Sequence, residues 1–205
     1  NLNDSGVDVR IGLRVKSKRK TNVQAEGLRC EAINEVVKKC DIISLLIPDQ
    51  IMGDVYKTDI EPYLRDGQTL LFSHGYNIHY NIIQTPKYVN VIMVAPSGAG
   101  SEVRKQYNNG TGVPGLIAVN QDYTGTSFDL ALSYSKAIGM TRLGVFKSTF
   151  KEETETDLFG EQVILTGGIP KLIQSSYNVL LEAGYNPVTA WFVCYYELKT
   201  IVDLF

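Results

Sequence analysis

Apolar residues fall at alternate positions from Val7 through Leu13, the period of a strand with one buried face, and similar short runs recur downstream. Residues 42–47 form an apolar run that contains Ser44 and is stopped by Pro48. Residues 69–72 form another that meets Ser73-His74-Gly75, and residues 91–95 and 116–119 add two more. Between and after these strands, residues 31–39, 51–64 and 128–138 have helical spacing, and a last strand is expected at 143–146. Short strands alternating with helices of roughly ten residues build right-handed βαβ units. The expectation is an α/β domain, a doubly wound parallel sheet covered on both faces.

The texture changes near Ser148. From Lys151 onward the pattern is helical, at residues 157–166, 170–183 and 188–205, the second helix opening on Pro170 and closing at Gly184. This predicts two domains, residues 1–147 with the sheet and residues 148–205 as the start of an all-helical domain. Asn1 to Gly6 reads as the last turn of a helix whose body is absent, and the final helix is still amphipathic at Phe205. Both domains are therefore expected to be incomplete, the first lacking its first βα unit.

A chain of 205 residues, 44% hydrophobic and 20% charged, can bury a core, and its composition excludes collagen, coiled coil and wholesale disorder. Lys and Arg number 20 against 22 Asp and Glu, so the net charge of −2 offers no global attraction to nucleic acid or a membrane surface. The longest apolar run is far short of the ~20 residues that span a bilayer. The cysteines, Cys30, Cys40 and Cys194, are odd in number and contain no C-x-x-C pair, which argues against a disulfide framework or zinc knuckle. A soluble protein of a reducing compartment is expected: cytoplasm, or a plastid or mitochondrial matrix in a eukaryote.

Ligands bind open α/β sheets beyond the carboxyl ends of the strands, so Arg14, Asp49, His74 and Pro96-Ser97-Gly98 mark one candidate rim. If a first βα unit is missing, residues 7–13 are the second strand, whose end usually carries an acid for a ribose 2'-hydroxyl. Here the loop reads Arg14-Val15-Lys16-Ser17-Lys18-Arg19-Lys20, whose guanidinium and hydroxyl donors suit a 2'-phosphate and favour NADP over NAD. A solvated basic surface loop would look the same. Gly98-Ala99-Gly100 is either a site of close backbone approach or a tight loop.

The two histidines, His74 and His79, are five apart, which is not the one-face spacing of a metal pair. His74 is a candidate through its rim position, the alternative being a structural hydrogen-bonder. Acids are densest in Lys151-Glu152-Glu153-Thr154-Glu155-Thr156-Asp157-Leu158-Phe159-Gly160-Glu161-Gln162. Asp157 and Glu161 lie four apart and share a helix face, a spacing that suits a hard divalent cation such as Mg2+. A helix start enriched in acids by the macrodipole accounts for Glu152 to Asp157 but less well for Glu161. Glu197 is a possible third carboxylate, or an ordinary exposed acid preceding Lys199.

With that acidic run in view, the chain resembles ketol-acid reductoisomerase, also called acetohydroxyacid isomeroreductase, of the short class. The resemblance extends to Phe72-Ser73-His74-Gly75-Tyr76-Asn77-Ile78-His79, Val91-Ile92-Met93-Val94-Ala95-Pro96, Gly112-Val113-Pro114 with Leu116-Ile117-Ala118-Val119, and Glu197-Leu198-Lys199 with Ile201-Val202-Asp203-Leu204. It implies a Rossmann-like NADP-binding domain followed by a knotted helical domain, with active sites completed across a homodimer or larger homo-oligomer. It further implies that Arg14 and Ser17 bind the 2'-phosphate, with Arg19 replacing a family serine, and that Asp49, Gln50, Ile51, Met52 and Gly100 line the cofactor. His74 matches the catalytic position, and Asp157 and Glu161 match ligands of a magnesium pair to which Glu197 adds.

The implied reaction takes a small 2-hydroxy-3-keto acid such as acetolactate through metal-assisted alkyl migration and then hydride transfer from NADPH, a step of branched-chain amino-acid biosynthesis. Three positions depart from the family pattern. Ser97 replaces the lysine of a Pro-Lys-Gly motif, Val193 replaces a glutamate one turn before Glu197, and Asn120 stands in a Val-His-Gln-Asp stretch. The first two motivate a second expectation, a catalytically degenerate paralogue kept as an assembly subunit. A third is an NADP-dependent hydroxy-acid reductase that no longer isomerises.

Overall fold

The computed structural model describes residues 1–14 and 16–204. Val15 of the basic loop and Phe205, the last residue of the final expected helix, lie outside the described residues. The chain divides into two units, Asn1–Thr154 and Glu155–Phe205.

In the first unit β1 (Arg10–Leu13) and β2 (Arg29–Ala32) pair in parallel as a small sheet. A second sheet runs in the order β3 (Ile42–Leu45), β4 (Thr69–Phe72), β5 (Asn90–Pro96), β6 (Gly115–Gln121), β7 (Val145–Lys147). Strands β3, β4 and β5 are parallel, β6 runs antiparallel to β5, and β7 is parallel to β6. Side-chain alternation splits the core between two faces. Leu70, Phe72, Val91, Met93 and Ala95 pack on one, against Val37, Met52, Val55, Ile60 and Phe150. Leu71, Ile92, Val94 and Ile117 pack on the other, against Ala131 and Met140. A central strand buried on both sides cannot be amphipathic, which is why β4 and β5 read as continuous apolar runs. Each such fully buried side chain contributes roughly 1.5–3 kcal/mol.

The covering helices are α1 (Lys20–Ala25), α2 (Ile33–Lys39), α3 (Asp49–Val55), α4 (Tyr76–His79), α5 (Gly100–Asn108) and α6 (Ser127–Ala137). Several expectations are corrected. Part of the basic loop is the helix α1, the start of the helix expected at 31–39 is β2, and α5 was not expected at all. The helix expected at 51–64 is α only to Val55, then a π turn over Tyr56–Ile60 and a 3-10 turn over Glu61–Tyr63. Pro62 lacks the N–H that a continuing helix would need. β6 is the antiparallel member of this mostly parallel sheet: Pro96 pairs with Gly115, and Ser97 N–H donates to the Pro114 carbonyl (2.9 Å). The next strand therefore starts at the end where β5 stops.

Helix α7 (Phe150–Gly160) begins seven residues before the expected position 157, because its first turn carries Phe150, Glu153 and Thr154 into the core of the first unit. In the second unit α7 continues into a π turn (Glu161–Leu165), followed by α8 (Gly168–Glu182), α9 (Pro187–Trp191), a π turn (Phe192–Tyr196) and α10 (Glu197–Val202). Asn186 caps α9 by accepting from Val188 N–H at 2.8 Å, with Pro187 in the first turn. Among the described residues of this unit only Ala190 is buried. No helix among the described residues is long and apolar enough to cross a membrane.

Two polar anchors hold the loop from β6 to α6. Buried Asn90 donates to Thr69 Oγ1 (3.1 Å) and Thr124 Oγ1 (3.0 Å) and accepts from the N–H groups of Tyr123 (2.8 Å) and Thr124 (3.0 Å). Asp122 accepts from Ser127 Oγ (2.6 Å) and Gly125 N–H (2.9 Å), and the Ser127 hydroxyl holds its carboxyl below the usual range. Asn90→Ala should cost about 2–4 kcal/mol in urea denaturation, since it strands two backbone donors. Because the folded-state pKa of Asp122 lies below the unfolded one, its contribution is complete above the ordinary carboxylate range and is lost as pH falls through the folded value. The acid-side decline in the urea midpoint should be shallower in Asp122→Asn.

Candidate functional site

The parallel strands β3, β4 and β5 end at one edge of the sheet, and each is followed by a polar residue from the expected rim: Asp49, His74 and Ser97. Asp49 opens α3 and its Oδ1 accepts from Asn77 Nδ2 at 2.7 Å. Asn77 is fully buried, and its own Oδ1 has no hydrogen-bond partner among the described residues. Gln50 and Ile51 are exposed, whereas Met52 is 4% exposed and packs into the core. Its side chain lies on the inward face of α3, toward the sheet. Gly100 begins α5 in open space, with nothing within 4 Å of where a Cβ would stand.

Arg14 follows β1, in the two-stranded sheet, and is exposed. Its carbonyl accepts from Ser17 N–H (2.9 Å), and Ser17 Oγ accepts from Arg19 N–H (3.3 Å). The three cofactor candidates of the basic loop thus share one turn. No acid lies among its described residues from Arg14 to Lys20.

His74 meets a residue not singled out from the sequence. Its Nδ1 lies 2.9 Å from Oε1 of Glu153, in the first unit's part of α7. The other oxygen, Oε2, accepts from Gly75 N–H at 2.8 Å and from Thr154 Oγ1 at 3.4 Å. Glu153 is only 5% exposed, and a buried carboxylate is tolerable only when both oxygens are satisfied. The Tyr76 ring stacks toward His74, centroids 6.3 Å apart at 20°. The sequence did carry a signal: Glu153, Asp157 and Glu161 recur at four-residue intervals, the repeat of one helix face.

Asp157 stands one turn beyond Glu153 on α7, and Glu161 one turn further, at the opening of the π turn; both are exposed. Glu197 is exposed at the start of α10. Among the described residues Asp157, Glu161 and Glu197 do not form a three-ligand group. Ser97 and Asn120 are exposed, and Val193 is exposed in the second π turn.

A doubly wound sheet with polar residues at the carboxyl ends of its strands is the Rossmann-like architecture of dinucleotide-binding proteins. Residues 1–144 match the family described as acetohydroxy acid isomeroreductase, NADPH-binding domain, and residues 150–205 match ketol-acid reductoisomerase, C-terminal domain. The chain belongs to the ketol-acid reductoisomerase family. It is 55% identical over 204 residues to the ketol-acid reductoisomerase (NADP(+)) of Petrotoga mobilis, and 52% identical to that of Methanocaldococcus jannaschii. Each alignment covers 100% of this chain and 62% of the relative, so the chain spans less than two thirds of their length. A solved NADH-preferring ketol-acid reductoisomerase from an uncultured archean superposes with a TM-score of 0.95 at 42% identity, over 99% of this chain and 63% of that one.

Gly75 is the steric key to the His74 cluster. A Cβ there would overlap Thr154 Oγ1 and stand 2.7 Å from the Phe150 carbonyl oxygen, so α7 would have to retreat. Gly75→Ala should destabilise the protein by about 1–3 kcal/mol in chemical denaturation and shift the His74 ring resonances.

Proposed function

We propose that the full-length protein is an NADPH- and magnesium-dependent ketol-acid reductoisomerase, converting 2-hydroxy-2-methyl-3-oxo acids such as acetolactate to 2,3-dihydroxy acids in branched-chain amino-acid biosynthesis. The observation that carries this reading is His74, at the end of β4, paired with Glu153 on the helix that also bears Asp157 and Glu161.

The residues present fit the implied groups. Asp157 and Glu161 are exposed, acceptor-only oxygen donors one helical turn apart, the chemistry a hard divalent cation takes. Bound divalent cations would polarise the substrate ketone and stabilise negative charge developing on oxygen during alkyl migration. Arg14, Ser17 and Arg19 offer fork and hydroxyl donors to a 2'-phosphate, and no described acid of that loop competes for a 2'-hydroxyl. Asp49, oriented by Asn77, and the open backbone at Gly100 would line the cofactor. The chain's own part in the proton movements falls to the His74 ring, held at the strand end. In a homodimer whose active sites draw on both subunits, Glu197 would serve the partner copy's metal. The free cysteines Cys30, Cys40 and Cys194 suit a reducing compartment.

Ser97 and Val193 favour a second reading, a degenerate assembly subunit. A short hydroxyl on the rim and an apolar side chain one turn before Glu197 supply neither a cation nor a metal ligand.

With acetolactate, NADPH and Mg2+, the intact protein should turn over, and Asp157→Asn should lower Mg2+ affinity by at least about tenfold in calorimetry while NADPH binding persists. Turnover independent of magnesium would refute the mechanism. No turnover in the wild type, with activity gained in Ser97→Lys plus Val193→Glu, would establish the subunit reading.

A further inference from the structure

We infer that Asn77 is a positioning residue for the dinucleotide: its side-chain amide holds the Asp49 carboxylate in the orientation that accepts from a hydrogen-bond donor of the cofactor, a ribose hydroxyl or the carboxamide NH2. This role rests on the proposed NADPH site, to which it adds the residue that aims Asp49.

Asp49 follows β3 and Asn77 follows β4, adjacent parallel strands of one sheet. Asn77 Nδ2 donates to Asp49 Oδ1 at 2.7 Å and reaches the Asp49 main-chain carbonyl at 3.4 Å. A carboxylate and a carbonyl can only accept, so the amide must present its NH2 group to both, and its own oxygen must point elsewhere. There it finds nothing: Asn77 is fully buried, and its Oδ1 has no hydrogen-bond partner among the described residues. Turning the amide over would set its oxygen against the two Asp49 oxygens and lose both bonds. The grip on Asp49 and the unpaired Oδ1 are thus two sides of one arrangement.

A buried acceptor left unpaired works against stability, and a leucine of similar shape would avoid it. Keeping the amide for the sake of Asp49 is a local conflict of the kind that marks functional positions. Asp49 itself is half-buried at the rim, and an acceptor-only carboxylate suits a hydroxyl or an NH2 group of the cofactor rather than its phosphates. With Oδ1 gripped from the Asn77 side, Oδ2 is the oxygen turned to such a donor. The Asn77 backbone is anchored separately, since its carbonyl accepts from Ile83 N–H at 3.0 Å. The side chain can therefore be changed without releasing the turn. A purely structural Asn77 predicts the opposite pattern, lost stability with cofactor affinity intact.

The test is calorimetric NADPH binding by the intact protein. Asn77→Leu should raise the Kd by roughly tenfold, and Asp49→Ala should do the same. The double variant should bind no more weakly than Asp49→Ala, because Asn77 acts through Asp49. The urea midpoint of Asn77→Leu should equal or exceed that of the wild type, and in turnover assays its KM for NADPH should rise by more than kcat falls. Reduced 3-acetylpyridine adenine dinucleotide phosphate lacks the carboxamide NH2 and so separates the two donors: the Asn77→Leu loss vanishes with it when the carboxamide is the partner and persists when a ribose hydroxyl is. Unchanged NADPH affinity in Asn77→Leu, or a full further loss on the Asp49→Ala background, overturns the inference. Should Asn77→Leu fail to fold, Asn77→Ala removes the same amide without adding a clash and takes its place in the cycle. If the wild type binds no NADPH, the proposed function falls as well.

Discussion

Glu153 can be buried only where a backbone donor and an imidazole meet it together, and that pairing ties the end of β4 to the first turn of α7. Much follows from this contact. Phe150 enters the core edge-on to Phe72, their centroids 6.3 Å apart, and fixes the helix's rotation from the apolar side. Phe150 and Glu153 together set the rotation of the first turn of α7 about its own axis. A sheet that buries β4 and β5 on both faces supplies the stiffness this arrangement needs, because a strand packed on both sides cannot shift without opening two core layers.

Those strands were also the most legible part of the sequence. β4 was read to the residue because a doubly buried strand is an unbroken apolar run between turn signals. β2 was lost because Arg29-Cys30-Glu31-Ala32 is polar and runs directly into α2, so helical spacing masked the strand. α5 was lost because Gly100-Ser101-Glu102-Val103-Arg104-Lys105-Gln106-Tyr107-Asn108 buries none of its residues and so lacks an apolar stripe. The direction of β6 is set by the path of the connection through α5, which no periodicity reports.

The site divides along the same line. Asp157 and Glu161 are candidates that spacing alone can offer, because four residues on one helix is a local relation. Glu153 could not be assigned its role, since its partners sit 78 and 79 positions away and one is a backbone N–H that any residue but proline would supply. Met52 differs from its neighbours in where its side chain goes. It was placed with Asp49, Gln50 and Ile51 by resemblance, but four consecutive helical residues point in four directions, and the one facing the sheet belongs to the core.

Beyond α7's first turn the constraint changes character. With only Ala190 buried among its described residues, the second unit cannot hold a carboxylate by core packing, so Glu161 depends on the backbone itself. Its carbonyl accepts from Thr166 N–H (2.8 Å) and Gly167 N–H (3.1 Å), the five- and six-residue reach of a widened turn. A Cβ at Gly167 would overlap the Gln162 carbonyl, and one at Gly168 the Val163 carbonyl. The widened turn therefore requires glycine at both positions, and a side chain at either would push the carbonyls back toward ordinary α spacing. Glu161 sits at the junction where that repacking would begin, so the two glycines, which touch no ligand, help determine where its carboxylate stands relative to Asp157.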